Sequence, residues 1–245
     1  MPTTAGPNIV TNSLVYYVDA ANQRSYVSGS HVLQNLGPEN SGSFIDSVSS
    51  SFDSNPASWG FDTSYDRIEF EDELNLGLNY TMEFWVKKLG TAASTDASGG
   101  GWGGYLISNN QATYQNPVVF TSTRGIDIRW SNSPWNAYWQ PGADKFTEFY
   151  SPTQGSNTGR TFHQLVWTRS SDGSDNTIKV YVDGVLKDST TSDKGAANPT
   201  YVTMIGRNSS SETLNGSLSI VKFYTKVLSD TEVLQNYNAL RGRFS

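Results

Sequence analysis

The run Phe162–Asp188, FHQLVWTRSSDGSDNTIKVYVDGVLKD, limits what this chain can fold into more than any other stretch. Ile178, Val180 and Val182 alternate with Thr177, Lys179, Tyr181 and Asp183, and a period of two gives a strand one apolar and one polar face. Asp183-Gly184 separates two such runs. A two-residue type I′ turn prefers this dipeptide because both of its central residues take positive φ. Upstream, Ser170–Asn176 (SSDGSDN) closes a preceding hairpin with side chains that bond their own backbone. Two antiparallel strands and the start of a third are therefore predicted here, and with them an all-β fold.

At 245 residues one large all-β domain can occupy the whole of 1–245. The chain is polar, with a hydrophobic fraction of 36% and a mean hydropathy of −0.48. The 7 Trp and 13 Tyr suit strands and also the flat surfaces on which sugars stack. A net charge of −6 argues against a nucleic-acid partner, because phosphate binding needs clustered Lys and Arg. The absence of cysteine excludes disulfides and thiolate metal sites. No stretch approaches the roughly 20 apolar residues of a membrane span, so no membrane insertion is expected. The opening MPTTAGPN lacks the basic and apolar regions of a signal peptide, which points to synthesis in a cytoplasm.

In chain order, residues 1–7 read as an extended arm. Ile9–Asp19 is a strand region with Leu14, Tyr16 and Val18 on one face, and Asp19 and Asn22 cap the turn after it. Ser41–Ser58 reads as loops between short edge strands. Arg67–Phe70 is a strand with Ile68 and Phe70 inward, and the neighbouring Glu69, Glu71, Asp72 and Glu73 read as a solvated strand edge. Retaining glycoside hydrolysis wants two carboxyls about 5–5.5 Å apart, and nothing in this cluster specifies such a pair. Tyr80–Lys88 places Met82, Phe84 and Val86 on one face and Thr81, Glu83, Trp85 and Lys87 on the other.

Two stretches are singled out for contact. Trp102 stands alone in the glycine-rich run Thr91–Gly104, either tying that loop down or meeting a partner. Trp130–Gly142 (WSNSPWNAYWQPG) carries more large aromatics than one loop can bury. Its Trp135, Tyr138 and Trp139 either cover an open sheet edge or form an exposed binding patch. Towards the C-terminus, Ser229 with Glu232 three residues on is a capping box. It opens a short helix over 229–241 with Val233, Tyr237 and Leu240 as its apolar stripe and Gly242 as its stop. No Gly-x-Ser-x-Gly elbow, His-Glu-x-x-His, Walker A or dinucleotide fingerprint is present. His163 reads as structural.

The run GPNIVTNSLVYYVDAANQRSY (Gly6–Tyr26), the strand Tyr80–Lys88, the central hairpin and the block from Asn215 to Phe244 resemble laminin-G-like, concanavalin A-like jelly-roll domains of tailed-bacteriophage structural proteins of the cyanophage type. The resemblance spans the chain. It implies an all-β jelly-roll sandwich of two antiparallel sheets with one short C-terminal helix. It also implies a non-enzymatic virion component (capsid decoration, fibre or tail-associated protein) made in the host cytoplasm. Its partners would be other virion proteins and a host-surface glycan, in a homo-oligomer or symmetric array. Trp102, Trp135, Tyr138 and Trp139 are then the expected carbohydrate- or partner-binding residues. Because related domains hold Ca²⁺ in rim loops, calcium is the one metal implied, at Asp172 with Asp175 or at Asp62 with Asp66. A lectin whose glycan recognition is primary and a glycoside hydrolase are the alternative readings.

Overall fold

The hairpins encoded in 162–188 are present, and one of two sheets is built around them. The computed structural model describes residues 7–28, 30, 32–37, 44–45, 52–61, 66–88, 105–108, 118–122, 125–129, 138–139, 161–193, 197, 199–206, 214 and 216–244, with backbone alone for 44–45, 71, 88, 105, 108, 118–122, 125–129, 138–139 and 192. The strands are β1 (Leu14–Asp19), β2 (Val32–Leu33), β3 (Phe44–Ile45), β4 (Phe52–Ser54), β5 (Ala57–Phe61), β6 (Ile68–Gly77), β7 (Tyr80–Lys88), β8 (Tyr105–Ser108), β9 (Val118–Ser122), β10 (Gly125–Arg129), β11 (Tyr138–Trp139), β12 (His163–Ser171), β13 (Asn176–Val182), β14 (Val185–Ser192), β15 (Thr200–Ile205) and β16 (Gly216–Tyr224). An α-helix, α1 (Asp230–Leu240), and one 3-10 turn (Arg241–Arg243) follow.

Among the described residues the strands form two sheets of eight. The first runs β14-β13-β12-β7-β16-β5-β4 with β1 also paired to β16; the second runs β11-β10-β9-β8-β15-β6-β3-β2. Asp183 has φ 51° and Gly184 φ 77°, the positive pair that a type I′ turn requires. The sandwich and its single helix are the architecture the sequence implies.

Between the sheets lies a core that includes Tyr16, Phe61, Phe70, Phe84, Trp167 and Phe223. The sheets approach so closely at Gly206 (φ +87°) that a Cβ there would meet the Phe61 ring at 2.4 Å. Ile68 and Phe70 face this core as expected. β6 continues to Gly77 between β15 and β3, but the two-residue β3 reaches only Glu69 and Phe70, and Asp72 and Glu73 of the acidic cluster beyond it are exposed, as the solvated reading expects. In that cluster Glu69 accepts a hydrogen bond from Arg67 Nε at 2.8 Å.

One inward stripe breaks. The β1–β16 register shifts between Leu14 and Tyr16. Tyr16 and Val18 enter the core between the sheets, whereas Leu14 packs with Tyr224, Leu228 and Val233 on the opposite side. An extra residue in a strand inverts the side-chain alternation, so the face predicted for all three residues holds for two.

The outer face of the first sheet is where the helix sits. Ser229 Oγ accepts from Glu232 N (3.3 Å) and Glu232 Oε2 from Ser229 N (2.9 Å), completing the predicted capping box. Val233 and Leu240 are buried against the sheet. Gly242 does not terminate the helix through a left-handed residue; the chain runs on through the 3-10 turn with Arg241 as the C-cap. The helix covers Glu83 and Trp85, and Lys226–Leu228 just before it covers Thr81; all three are at most 1% exposed. The face of β7 that carries Thr81, Glu83 and Trp85 is therefore interior as well.

Candidate functional site

Under α1 a closed polar network surrounds Glu83. Its Oε1 accepts from Lys222 Nζ at 2.7 Å and Gln164 Nε2 at 3.1 Å, and its Oε2 from Asn236 Nδ2 at 2.7 Å. Asn236 Oδ1 accepts from Val10 N (2.7 Å), while Tyr224 OH donates to Val10 O (3.1 Å) and accepts from Asn236 Nδ2 (2.9 Å). Burial pushes the Lys222 ammonium down from its ordinary value, against the pull of Glu83. Burial, reinforced by Glu83, pushes the Tyr224 hydroxyl up. The network ties the chain at Val10, three strands and the helix into one unit, with both oxygens of Glu83 satisfied inside it.

Farther along the same face, at the C-terminal end of α1, a cleft of ≈ 510 Å³ opens. Three segments meet there: the entry to β12 with Thr161, Phe162 and His163, the β13–β14 turn with Asp183, and the end of the helix with Tyr237, Arg241, Gly242 and Phe244. Trp85 also lines it, carried by the same alternation that buries Glu83 two residues earlier. The Trp85 ring stacks on Phe244 (centroids 4.4 Å, 17° between planes) and on Tyr237 (5.9 Å, 6°). Phe162 tilts against Phe244 at 5.1 Å. Cations border the aromatic cluster: Lys87 Nζ is 5.3 Å from the Phe162 ring centroid, Arg241 Cζ 5.7 Å from that of Tyr237, and Arg243 Cζ 5.3 Å from that of Phe244.

The polar wall is a relay. Asp183 Oδ2 lies 2.7 Å from His163 Nδ1, and Thr161 Oγ1 lies 3.2 Å from His163 Nε2. A carboxylate only accepts, so it fixes the Nδ1 proton. Asp183 Oδ1 accepts from Gln164 N at 2.9 Å, which holds the turn against β12. Asp183 is the one carboxylate among the described lining residues, so the second carboxyl of glycoside hydrolysis is not supplied there. The Trp85 indole N–H is buried without a hydrogen-bond partner. Stacking surfaces and hydrogen-bond donors make this a place to hold a ring.

None of the binding or metal residues predicted from sequence is among the described residues that line the cleft. Trp102, Trp135 and Asp62 lie outside the described residues. Tyr138 and Trp139 form β11, paired to β10 at Arg129 and Ile128, and their backbone alone is described. Asp172 caps its hairpin loop: Oδ1 accepts from Ser174 N (2.8 Å), Ser174 Oγ (2.8 Å) and Asp175 N (2.9 Å). These bonds hold its carboxyl down at about 2. Calcium wants six to eight oxygens, and no group of three or more His, Asp or Glu among the described residues is placed to hold a metal ion. Asp19 caps its turn through Ala21 N (2.9 Å), as predicted, and also accepts a bidentate pair from Arg243 at 2.7 and 2.9 Å. His163, predicted as structural, joins the clasp that walls the cleft. Its only sequence signal was a histidine and an Asp-Gly turn twenty residues apart.

Two eight-stranded antiparallel sheets packed face to face, with the helix laid on one outer face, define the jelly-roll class of sandwich. The sequence profile of the concanavalin A-like lectin/glucanases superfamily matches residues 62–234, and the chain belongs to that family. No curated protein matches it in sequence. Among solved structures, domain 4 of AbnA, a GH43 extracellular arabinanase from Geobacillus stearothermophilus solved with arabinotriose, superposes with a TM-score of 0.54 at 14% identity over 93% of this chain and 100% of that domain. The ligand-binding domain of botulinum neurotoxin serotype D, solved with N-acetylneuraminic acid, gives 0.61 at 15% identity over 94% of this chain. The receptor-binding domain of the type G neurotoxin gives 0.59 at 12% over 92%. The chain spans about half the length of these two toxin domains, 52% and 51%. At such identities the likeness shows the fold.

Proposed function

We propose that this chain is a non-enzymatic attachment module that binds glycans in the Trp85 cleft and is displayed on a virion. The observation that carries the reading is the cleft: an aromatic cluster bordered by N–H and O–H groups, on the fold of the lectin superfamily. A pyranose or furanose presents an apolar C–H face bounded by hydroxyls, and such a site meets both. That the arabinanase domain was solved with arabinotriose and the serotype D domain with N-acetylneuraminic acid supports a sugar as the occupant of this type of sandwich. The virion setting rests on the likeness of Gly6–Tyr26 and Asn215–Phe244 to phage structural proteins, with capsid or tail proteins as partners and a symmetric array as the assembly. Trp102, Trp135, Tyr138 and Trp139 form a second proposed contact, for sugar or for a virion neighbour. A calcium ion at Asp172 and Asp175 is proposed only as an accessory to either contact.

A glycan-array screen tests the reading, using the protein with and without EDTA, a Tyr237→Ala/Arg241→Ala variant and a Trp135→Ala/Trp139→Ala variant. Binding that survives EDTA and the second variant but disappears in the first supports the cleft. Loss in the Trp135/Trp139 variant alone moves the site to the aromatic loop. Mass spectrometry of purified particles tests the virion setting: a particle fraction without this chain would sink it.

A further inference from the structure

We infer that the cleft selects sugars bearing a carboxylate; this rests on the cleft being the glycan site. Its rim offers donors in excess of acceptors. Arg241 lies against Tyr237, exposed, and its guanidinium makes no hydrogen bond or ion pair among the described residues. Lys87, over Phe162, makes none either. Beneath the rim the Trp85 indole N–H is buried without an acceptor. Against these donors stands Asp183, whose two oxygens are engaged by His163 and by Gln164 N.

The neighbouring Arg243 shows the contrast. Three residues past the end of α1 it is bound by both terminal nitrogens to Asp19, whereas Arg241, one residue past that end, has no carboxylate partner among the described residues. A helix C-terminus favours cations in general, which accounts for both arginines but not for one being left without a partner. A guanidinium is a planar fork of N–H donors with no acceptor. A neutral hydroxyl both donates and accepts and satisfies that fork in part. A carboxylate only accepts, and its two oxygens match the fork bidentately. The geometry suits one carboxylate at the rim while the C–H face of the ring rests on the aromatic cluster. The chain as a whole carries −6, so two cations without an ion-pair partner among the described residues are a local positive spot on an anionic protein. That arrangement favours a single acidic group over an extended polyanion.

The test is an array that sets each uronic- or nonulosonic-acid-terminated glycan beside its carboxyl-reduced counterpart. It is probed with the full chain, with Arg241→Gln and with Tyr237→Ala, each verified as folded by its melting curve. Expected is binding to the acid member about 10- to 100-fold tighter than to the reduced one, weakening as salt rises. Arg241→Gln should bring acid binding down towards the level of the reduced partner, and Tyr237→Ala should weaken both. Equal binding to both members that Tyr237→Ala abolishes would overturn acid selection and leave the sugar cleft standing. No binding, or binding that neither variant touches, would overturn the cleft itself and acid selection with it.

Discussion

Glu83 and Trp85 stand two residues apart on β7, on the same face and under the same helix, in opposite circumstances. Around Glu83 each oxygen of the carboxylate has a donor, and the ammonium facing it lies 2.7 Å away with both side chains fully buried. Around Trp85 a buried indole N–H and the Arg241 guanidinium stand without acceptors among the described residues, beside a cleft of ≈ 510 Å³. The first region holds its charges by closing on itself; the second leaves an exposed guanidinium open to a partner from outside. A buried ion pair is weak evidence of net stabilisation, but breaking one is expensive. Mutation should therefore separate the two regions by what it damages: stability in the first, binding in the second.

The largest effect is expected at Lys222. Lys222→Met leaves the Glu83 carboxylate buried without its cation and should cost about 3–5 kcal/mol in chemical denaturation. Adding Glu83→Gln should recover much of that loss, because burial penalises the charge more than the contact; a double variant as unstable as the single would break the contrast. Next, Tyr224→Phe removes the hydroxyl shared by Val10 and Asn236 and should cost about 1–2 kcal/mol at neutral pH. It should also flatten the alkaline limb. With its hydroxyl raised above 10 in the folded state, Tyr224 keeps its proton where the unfolded chain has lost it. Its contribution is thus full below about pH 10 and lost as pH rises beyond that. Stability curves from pH 8 upward for wild type and variant check the sign.

In the cleft the expectation reverses. Arg241→Gln, on an exposed side chain with no ion pair, should move stability by less than about 0.5 kcal/mol while binding falls; a large loss of stability would place Arg241 with the closed network. The smallest effect belongs to a loop outside both regions. Asp172 is fully exposed and held down to about 2 by its own turn. Its contribution is present above the ordinary Asp value near 4 and is lost as pH falls from there towards 2. Asp172→Asn keeps the acceptor but removes the titration, so its melting temperature should fall less steeply than wild type between pH 4 and pH 2.

What could be read from the sequence was local. The Asp183-Gly184 turn, the strand alternation on either side of it and the Ser229–Glu232 capping box each lie within a few residues, and each is realised. The Glu83–Lys222 pair joins positions 139 apart, and Glu83 on an alternating strand is indistinguishable from a solvated residue until the helix that covers it is placed. The Leu14 bulge left no mark either, since Leu14 is apolar on whichever face it falls. The cleft escaped notice for the same reason as the ion pair. Trp85, His163 and Arg241 come from three distant segments, and each alone has an ordinary structural explanation.

The most direct test of the central claim is hydrogen–deuterium exchange on the full chain with and without a glycan found to bind it. Expected is protection in peptides covering 161–165 and 237–244, two of the three segments that meet at the cleft, with 130–142 unchanged. Protection confined to 130–142 would contradict the account and place the ligand on the aromatic loop.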